Sequence, residues 1–228
     1  FKHFKDLYSD KYDVLINAYY LISRKNFKVE HHVADMVAEY DTNYYKIDTY
    51  YRRFYYALDK INDKKRFETL QELVENIYIN RYLNIITEEF NNKLNYNKLK
   101  QNYKLQKDFY SNFVKGRKER VVIIISDGLR YELGKELVKR FSFNEKIEGK
   151  LEPQIGVLPS YTGLGMAALL PNKNIQIKDD YSVYVDGRPT STLVERKAIL
   201  QSYNEKSDAI QFSDLIKMKV DEIRAFFS

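Results

Sequence analysis

The chain has 228 residues, with Lys+Arg 38 against Asp+Glu 32, 44% hydrophobic residues, 15% aromatics, 8 Gly and 4 Pro. That apolar share excludes a collagenous, low-complexity or wholly disordered chain, and no stretch reaches the roughly 18 to 20 uncharged apolar residues that span a bilayer. Cys 0 removes disulfides, thiolate nucleophiles and cysteine metal sites together, which points to a soluble cytoplasmic protein. The chain begins at Phe1 rather than Met, the expectation being a piece of a longer polypeptide.

The first half reads as helices. From Phe4 to about Arg24, apolar residues at Phe4, Leu7, Tyr8, Val14, Leu15, Ala18, Tyr19 and Ile22 recur at three- and four-residue steps, the period of an amphipathic helix. The same step continues through Val33, Met36, Val37 and Tyr40, then Ile47, Tyr51, Phe54, Tyr55 and Leu58. A third run, Phe67 to Leu94, places Leu70, Leu73, Val74, Ile77, Tyr82, Leu83, Ile86 and Phe90 on one stripe. No Pro or Gly interrupts residues 1–115, which strand-and-turn architectures would require. An all-α helical region over 1–118 is predicted.

Charge follows the same division. Residues 1–118 hold 22 basic and 16 acidic side chains, and residues 119–228 hold 16 of each. The excess concentrates in 93–118, where Lys98, Lys100, Lys104 and Lys107 are interleaved with Tyr96, Tyr103, Phe109, Tyr110 and Phe113. Lysines neutralising phosphates beside aromatics stacking on bases would make a single-strand nucleic-acid surface. At helical spacing the aromatics read more simply as a buried stripe and the lysines as a solvated face. His31 and His32, being adjacent on a helix, point about 100° apart and do not suit one metal ion.

The second half changes pattern. Val121, Val122, Ile123, Ile124 and Ile125 form a β-branched run suited to a strand buried on both faces of a parallel sheet. Ser126, Asp127 and Gly128 end it, and Leu129 to Phe141 resumes a helical pattern. Short apolar segments at Ile155–Leu158, Val183–Val185 and Ala209–Phe212 alternate with further helices, one opened by the capping-box pair Thr192 and Glu195 and the last spanning Phe212 to Phe227. This alternation predicts an α/β fold over 119–228, a mostly parallel sheet with ligands at the carboxyl ends of its strands.

Two positions are chemically loaded. Asp127, directly after the predicted strand, either coordinates a metal at the sheet rim or caps the following helix. In LPSYTGLGMAALLP, residues 158–171, a turn leads into a short apolar helix stopped by Pro171. Thr162 then stands at the helix N-terminus with the N–H groups of Gly163 and Leu164 directed outward, an arrangement that favours phosphate, and Gly163 permits close approach. A plain N-cap by Ser160 or Thr162 fits the same residues. Gly163, Gly165 and Ala168 match a dinucleotide fingerprint only in spacing, because Pro159 and Tyr161 break the strand that should precede it. A haloacid-dehalogenase site would need an aspartate where Leu129 stands.

The segments VVIIISDGLRYELGKEL (121–137) and LPSYTGLGMAALLP (158–171), with YVDG (184–187), ERKAIL (195–200) and the tyrosine-rich YYKIDTYYRRFYYALDKI (44–61), resemble the PglZ family of BREX bacteriophage-defence systems, in particular its type A members. That family is a branch of the alkaline phosphatase superfamily. The resemblance implies the N-terminal half of an alkaline-phosphatase-like domain at 119–228, preceded by the helical region. It implies that Asp127 is a metal ligand, typically to zinc, and that Thr162 is both metal ligand and nucleophile, forming a phosphothreonine that water then hydrolyses. Arg130 falls in the family's Asp-x-x-Arg pattern, either contacting phosphate or forming a structural salt bridge, with the salt bridge favoured.

The departures matter as much. Superfamily members hold two metals with several Asp and His ligands, whereas the histidines here are His3, His31 and His32, all before Thr162. Asp179, Asp180, Asp186, Asp208 and Asp214 stand in no ligand motif and read as loop or cap residues. The expectation is a metal-dependent phosphoesterase component whose polypeptide, as given, is catalytically incomplete. Its expected partners are other BREX subunits, with a DNA or nucleotide phosphodiester as substrate and no membrane. The alternative is a non-catalytic PglZ-like scaffold that docks those subunits or DNA.

Overall fold

The computed structural model describes residues 5–227, so Phe4 and His3 lie outside the described residues. Helices and small sheets make up two compact units, Phe1–Asn102 with Gly128–Pro153, and Tyr103–Asp127 with Gln154–Ser228. The division at 118/119 suggested by composition is therefore drawn differently in space. Residues 103–118 belong with the second unit, and the helix after Asp127 belongs with the first.

The first unit is built from α1 (Lys5–Ile22), α2 (Val33–Glu39), α3 (Tyr45–Leu58), α4 (Glu68–Glu75), α5 (Asn84–Lys93), α6 (Tyr96–Asn102) and α7 (Tyr131–Phe141). Its core joins Val14, Ala18 and Leu21 of α1 to Phe54, Ala57 and Leu58 of α3. The buried face of α1 is rotated from the predicted stripe: Leu15 is 51% and Tyr19 63% exposed. Val14, Ala18 and Leu21 stand at i, i+4 and i+7, one face of the helix, which leaves the intervening Leu15 and Tyr19 facing outward.

The stripe over 67–94 is also re-phased, for a different reason. Tyr40–Tyr44 and Asn76–Leu83 are π-helical, and each wider turn shifts the side chains that follow. Val74, Ile77, Tyr78 and Tyr82 are buried, while Leu83, predicted inward, is 40% exposed at the end of the second π segment; Leu73, also predicted inward, is 46% exposed but precedes that segment in α4 (Glu68–Glu75), beside the buried Val74. On α3, Arg52 and Arg53 hold Glu136 of α7 at 2.5 and 3.1 Å.

The second unit corrects the parallel-sheet expectation. β1 (Lys104–Leu105) and β2 (Gln154–Ile155) pair in parallel, but the larger sheet, β3 (Ile175–Ile177), β4 (Val183–Val185) and β5 (Arg188–Pro189), is antiparallel. Short connections dictate this, since parallel neighbours need a crossover of about a dozen residues. Asp186 and Gly187, with φ of 49° and 79°, make the two-residue turn between β4 and β5, the left-handed pair that hairpins favour. β1 also interrupts the predicted all-α stretch 1–118.

The run Val121–Ile125 forms no helix or strand; its residues are exposed, Ile124 at 88%. A strand buried on both faces needs neighbours at both edges, and among the described residues none pairs with it. Ala209–Phe212 is likewise no strand, and the last predicted helix divides into α10 (Phe212–Leu215) and α11 (Val220–Phe226). The predicted capping box is present at the start of α9 (Leu193–Tyr203): Glu195 N donates to Thr192 Oγ1 at 3.2 Å and Thr192 N to Glu195 Oε2 at 2.8 Å.

Helix α8 (Thr162–Ala168) lies at the centre of this unit. Leu164, Ala167 and Leu170 bury against Val183 and Val185 of β4 and Ile199 of α9. Apolar burial of this kind contributes roughly 25 cal/mol per Å², and it fixes the end of the helix where Thr162 stands. Among the described residues no helix is long and apolar enough to cross a membrane.

Candidate functional site

Thr162 is the first residue of α8 and follows Tyr161 in extended backbone, φ −127° and ψ 155°. The first intrahelical bond beyond it runs from Gly165 N to Tyr161 O at 3.0 Å. The N–H groups of Gly163 and Leu164 thus precede the helical ladder, as at any helix start. Gly163 packs closely: a Cβ there would meet Tyr161 Cε2 at 3.1 Å, so a larger residue would have to displace that ring by a few tenths of an ångström. The Tyr161 ring is itself tied down, its hydroxyl donating to Tyr181 O at 3.1 Å.

Thr162 Oγ1 donates to Asp127 Oδ2 at 3.2 Å, across 35 residues of sequence. The two residues singled out as metal ligand and nucleophile therefore meet within one compact unit, and both are exposed to solvent. At 3.2 Å the contact is longer than the roughly 2.7–2.8 Å usual for O–H···O bonds. It orients the hydroxyl without ionising it. Two oxygens at that separation also suit a shared cation, because ligands about 2.0–2.2 Å from a divalent metal stand near 3 Å apart. The donor set thus fits a metal on two positions. Among the described residues there is no cluster of three or more His, Cys, Asp or Glu side chains placed to hold one.

A residue that the sequence did not single out fixes this arrangement. Gln106, in a short 3₁₀ turn over Gln106–Asp108, accepts from Val157 N at 3.2 Å and donates through Nε2 to Gly165 O at 3.1 Å. One amide clamps both the loop leading into α8 and the helix itself. Only its two-sided chemistry hints at the role, and a glutamine in a lysine-rich run carries no other signal.

The remaining candidates take up separate duties. Asp186 accepts from Asn174 N at 2.8 Å, from Lys173 N at 3.1 Å and from the Tyr203 hydroxyl at 3.3 Å. Asp180 accepts from Ser182 Oγ at 2.6 Å and from its N–H at 3.0 Å, bonds that hold its carboxyl below the usual range. Asp208 is held low by its pairing with Lys197 at 2.5 Å. Asp179 lies in a turn, and Asp214 is in α10 with Lys217 at 3.4 Å.

Arg130 belongs to the first unit, at the N-cap of α7. There it opposes Asp48 and lowers that carboxyl, which burial otherwise raises above the ordinary carboxylate value. His31 and His32 are exposed. Lys98, Lys100, Lys104 and Lys107 are exposed and their neighbouring aromatics half-buried, with Leu99 and Leu105 as the buried residues of the segment. Lys98 and Lys100 fall in the first unit and Lys104 and Lys107 in the second. Lys104 Nζ lies 4.5 Å from the centre of the Phe113 ring.

A mixed helix-and-sheet unit carrying an exposed carboxylate–threonine pair fits an alkaline phosphatase-like domain, and the family described as the BREX system PglZ alkaline phosphatase-like domain matches residues 107–228. The chain belongs to the PglZ family. It is 36% identical over 237 aligned residues to the alkaline phosphatase-like protein PglZ of Bacillus cereus (strain H3081.97), covering 99% of this chain and 28% of that protein. To the alkaline phosphatase-like protein BrxZ of Escherichia coli O9:H4 (strain HS) it is 33% identical over 231 residues, covering 93% of this chain and 26% of that protein. The chain therefore spans about a quarter of the length of these curated relatives. No solved structure matches it significantly.

Proposed function

We propose that the protein to which this chain belongs is a metal-dependent phosphoesterase of a BREX defence system, with Thr162 as nucleophile and Asp127 as a metal ligand. The observation that carries the reading is the hydrogen bond from Thr162 Oγ1 to Asp127 Oδ2 at the start of α8. A divalent cation, zinc by family resemblance, would supply the positive charge that makes the threonine alkoxide accessible near neutral pH. Asp127 and Thr162 would hold it as two of its ligands. The complete centre would take two such ions.

Thr162 Oγ1, oriented by Asp127, would attack phosphorus, displace the ester alcohol and leave a phosphothreonine that water cleaves. Gly163 and Leu164 N–H groups would face the phosphoryl oxygens. Arg130, which belongs to the other compact unit, is given no part in this reading. The substrate class is a DNA or nucleotide phosphodiester, and the partners are other BREX subunits. Two oxygen donors are too few for a tight catalytic site, so the 228-residue chain alone should bind zinc weakly and leave p-nitrophenyl phosphate esters intact.

The test uses a protein of the relatives' full length, assayed with p-nitrophenyl phosphate and bis-p-nitrophenyl phosphate. Thr162→Ala and Asp127→Asn should each lower turnover by at least about 10²-fold. Unchanged turnover in Thr162→Ala would sink the proposal. No turnover by the full-length wild type, together with retained binding of other BREX subunits, would favour the scaffold reading, in which the exposed Lys98, Lys100, Lys104 and Lys107 would contribute to DNA contact.

A further inference from the structure

Helix α1 of the first unit has two apolar faces, where a surface helix has one. Val14, Ala18 and Leu21 face the core. On the opposite side Tyr8, Tyr12, Leu15, Ile16 and Tyr19 are 43–63% exposed. Tyr8, Tyr12, Leu15 and Tyr19 stand at i, i+4, i+7 and i+11, the seam spacing of packed helices, and Ile16 flanks them. No charged residue interrupts Val14–Ile22, and the amide of Asn17 is turned inward, donating to Asp13 O at 2.7 Å. These turns are therefore apolar on both sides, the pattern of a helix that is covered all round. The charges of α1 stand off the seam: Asp10 pairs with Lys60 at 3.7 Å, and Lys11 Nζ lies 5.3 Å from the centre of the Tyr8 ring.

The size of this face decides what covers it. At about 200 Å² for each whole side chain, its five residues expose roughly 500 Å², the scale at which an apolar patch marks a contact site. A stable complex of separate proteins buries about 800 Å² on each partner and must also overcome the loss of translational and rotational freedom. The face falls short of that on its own. A helix of the same polypeptide escapes most of that loss, because its connection holds it at high effective concentration. About three quarters of the length of both curated relatives lies outside the stretch that this chain matches. We propose that the outward face of α1 docks an amphipathic helix from that remaining part of the longer protein, with its apolar seam laid along Leu15, Ile16 and Tyr19. The contact requires neither a metal nor the Asp127–Thr162 pair, so it stands apart from the phosphoryl-transfer reading.

The experiment compares the 228-residue chain with a protein of the relatives' full length, each carrying Tyr19→Cys or, separately, Leu15→Cys. Both are treated with N-ethylmaleimide and the modified peptide is followed by mass spectrometry. With Cys 0 in the chain, the introduced thiol is its only cysteine target. Each thiol should react at least about tenfold more slowly in the long protein than in the chain, because a packed helix must open before reagent enters. Hydroxyl-radical footprinting of Leu15 and Tyr19 in the unmutated proteins makes the same comparison if a cysteine variant fails to fold. Equal reactivity in the two proteins overturns the proposal. So does slow labelling of the isolated chain that speeds up on dilution, which would make a second copy the occupant. Protection of the long protein only after other proteins are added overturns it as well.

Discussion

Tyr40 donates its phenolic hydrogen to Asp48 Oδ2 at 2.5 Å, across the π-helical turn that joins α2 to α3. Asp48 is 8% exposed, and its other oxygen accepts from Tyr78 at 2.9 Å. A buried carboxylate is tolerated only when its lone pairs are satisfied. Tyr40→Phe removes one donor and leaves the acceptor behind, which should cost about 1–3 kcal/mol in denaturant unfolding. Because both hydroxyls serve one carboxylate, Tyr40→Phe combined with Tyr78→Phe should depart from additivity. A strictly additive double-mutant cycle would show that the two phenols act separately.

The same carboxylate sets a pH dependence opposite to that of most acidic residues. Burial raises the Asp48 pKa above 3.8, outweighing the lowering by the Tyr40 and Tyr78 hydroxyls and Arg130. The folded state therefore holds this proton more tightly than the unfolded state. Asp48's stabilising contribution is fully present below the unfolded value and is lost as pH rises through the folded one. The stability of wild type relative to Asp48→Asn should accordingly be greatest in acid and shrink towards neutrality, read from unfolding midpoints at a series of pH values. Tyrosines add a second, alkaline limb: burial pushes Tyr44 up from 10.0 to about 12, and its stabilisation should fall away as pH rises between those values. A difference between wild type and Asp48→Asn that grows with pH would contradict the assignment.

Gln106 links the loop before α8 to the helix itself through Val157 N and Gly165 O. Gln106→Ala should destabilise the chain by about 1–2 kcal/mol, roughly one net hydrogen bond plus a stranded partner. Gln106→Glu keeps the acceptor for Val157 but sets a carboxylate oxygen against the Gly165 carbonyl in place of a donor, so its cost should be at least that of alanine. If the proposed phosphoesterase reading holds, the same alanine variant of the full-length protein should reduce turnover through misplacement of Thr162, and bound-metal content should fall with it. Normal turnover with reduced stability would limit Gln106 to a packing role.

Legibility in the sequence tracked how local the governing physics is. Thr192 and Glu195 announced their capping box because both halves of that exchange lie within one turn. Asp127 and Thr162 were readable as a pair only through family resemblance, since nothing local to either residue reveals a contact 35 residues away. The rotated face of α1 and the inward turn of Tyr78 escaped because spacing gives the period of a helix but not its phase, and π turns change that phase. Asp48 carries no sequence signal that sets it apart from the other charges of its helix; its burial depends on phenols contributed by two other segments. Val121–Ile125 carried the strongest strand composition in the chain and forms no strand, because β-branched residues favour a ladder they cannot make without neighbours.

That last segment yields a test of its own. Ile124 is 88% exposed in a segment without regular secondary structure, flanked by Ile123 at 43% and Ile125 at 49%. Exposed runs of uncharged β-branched residues are a template for pairing with other chains. A charge at the most exposed position should block such pairing while removing little native packing. Ile124→Lys should leave the unfolding free energy within about 0.5 kcal/mol of wild type, as for surface substitutions generally. It should also lower concentration-dependent association in light scattering. A loss exceeding about 2 kcal/mol would instead mean that Ile124 is buried in solution, since only core positions carry penalties of that size.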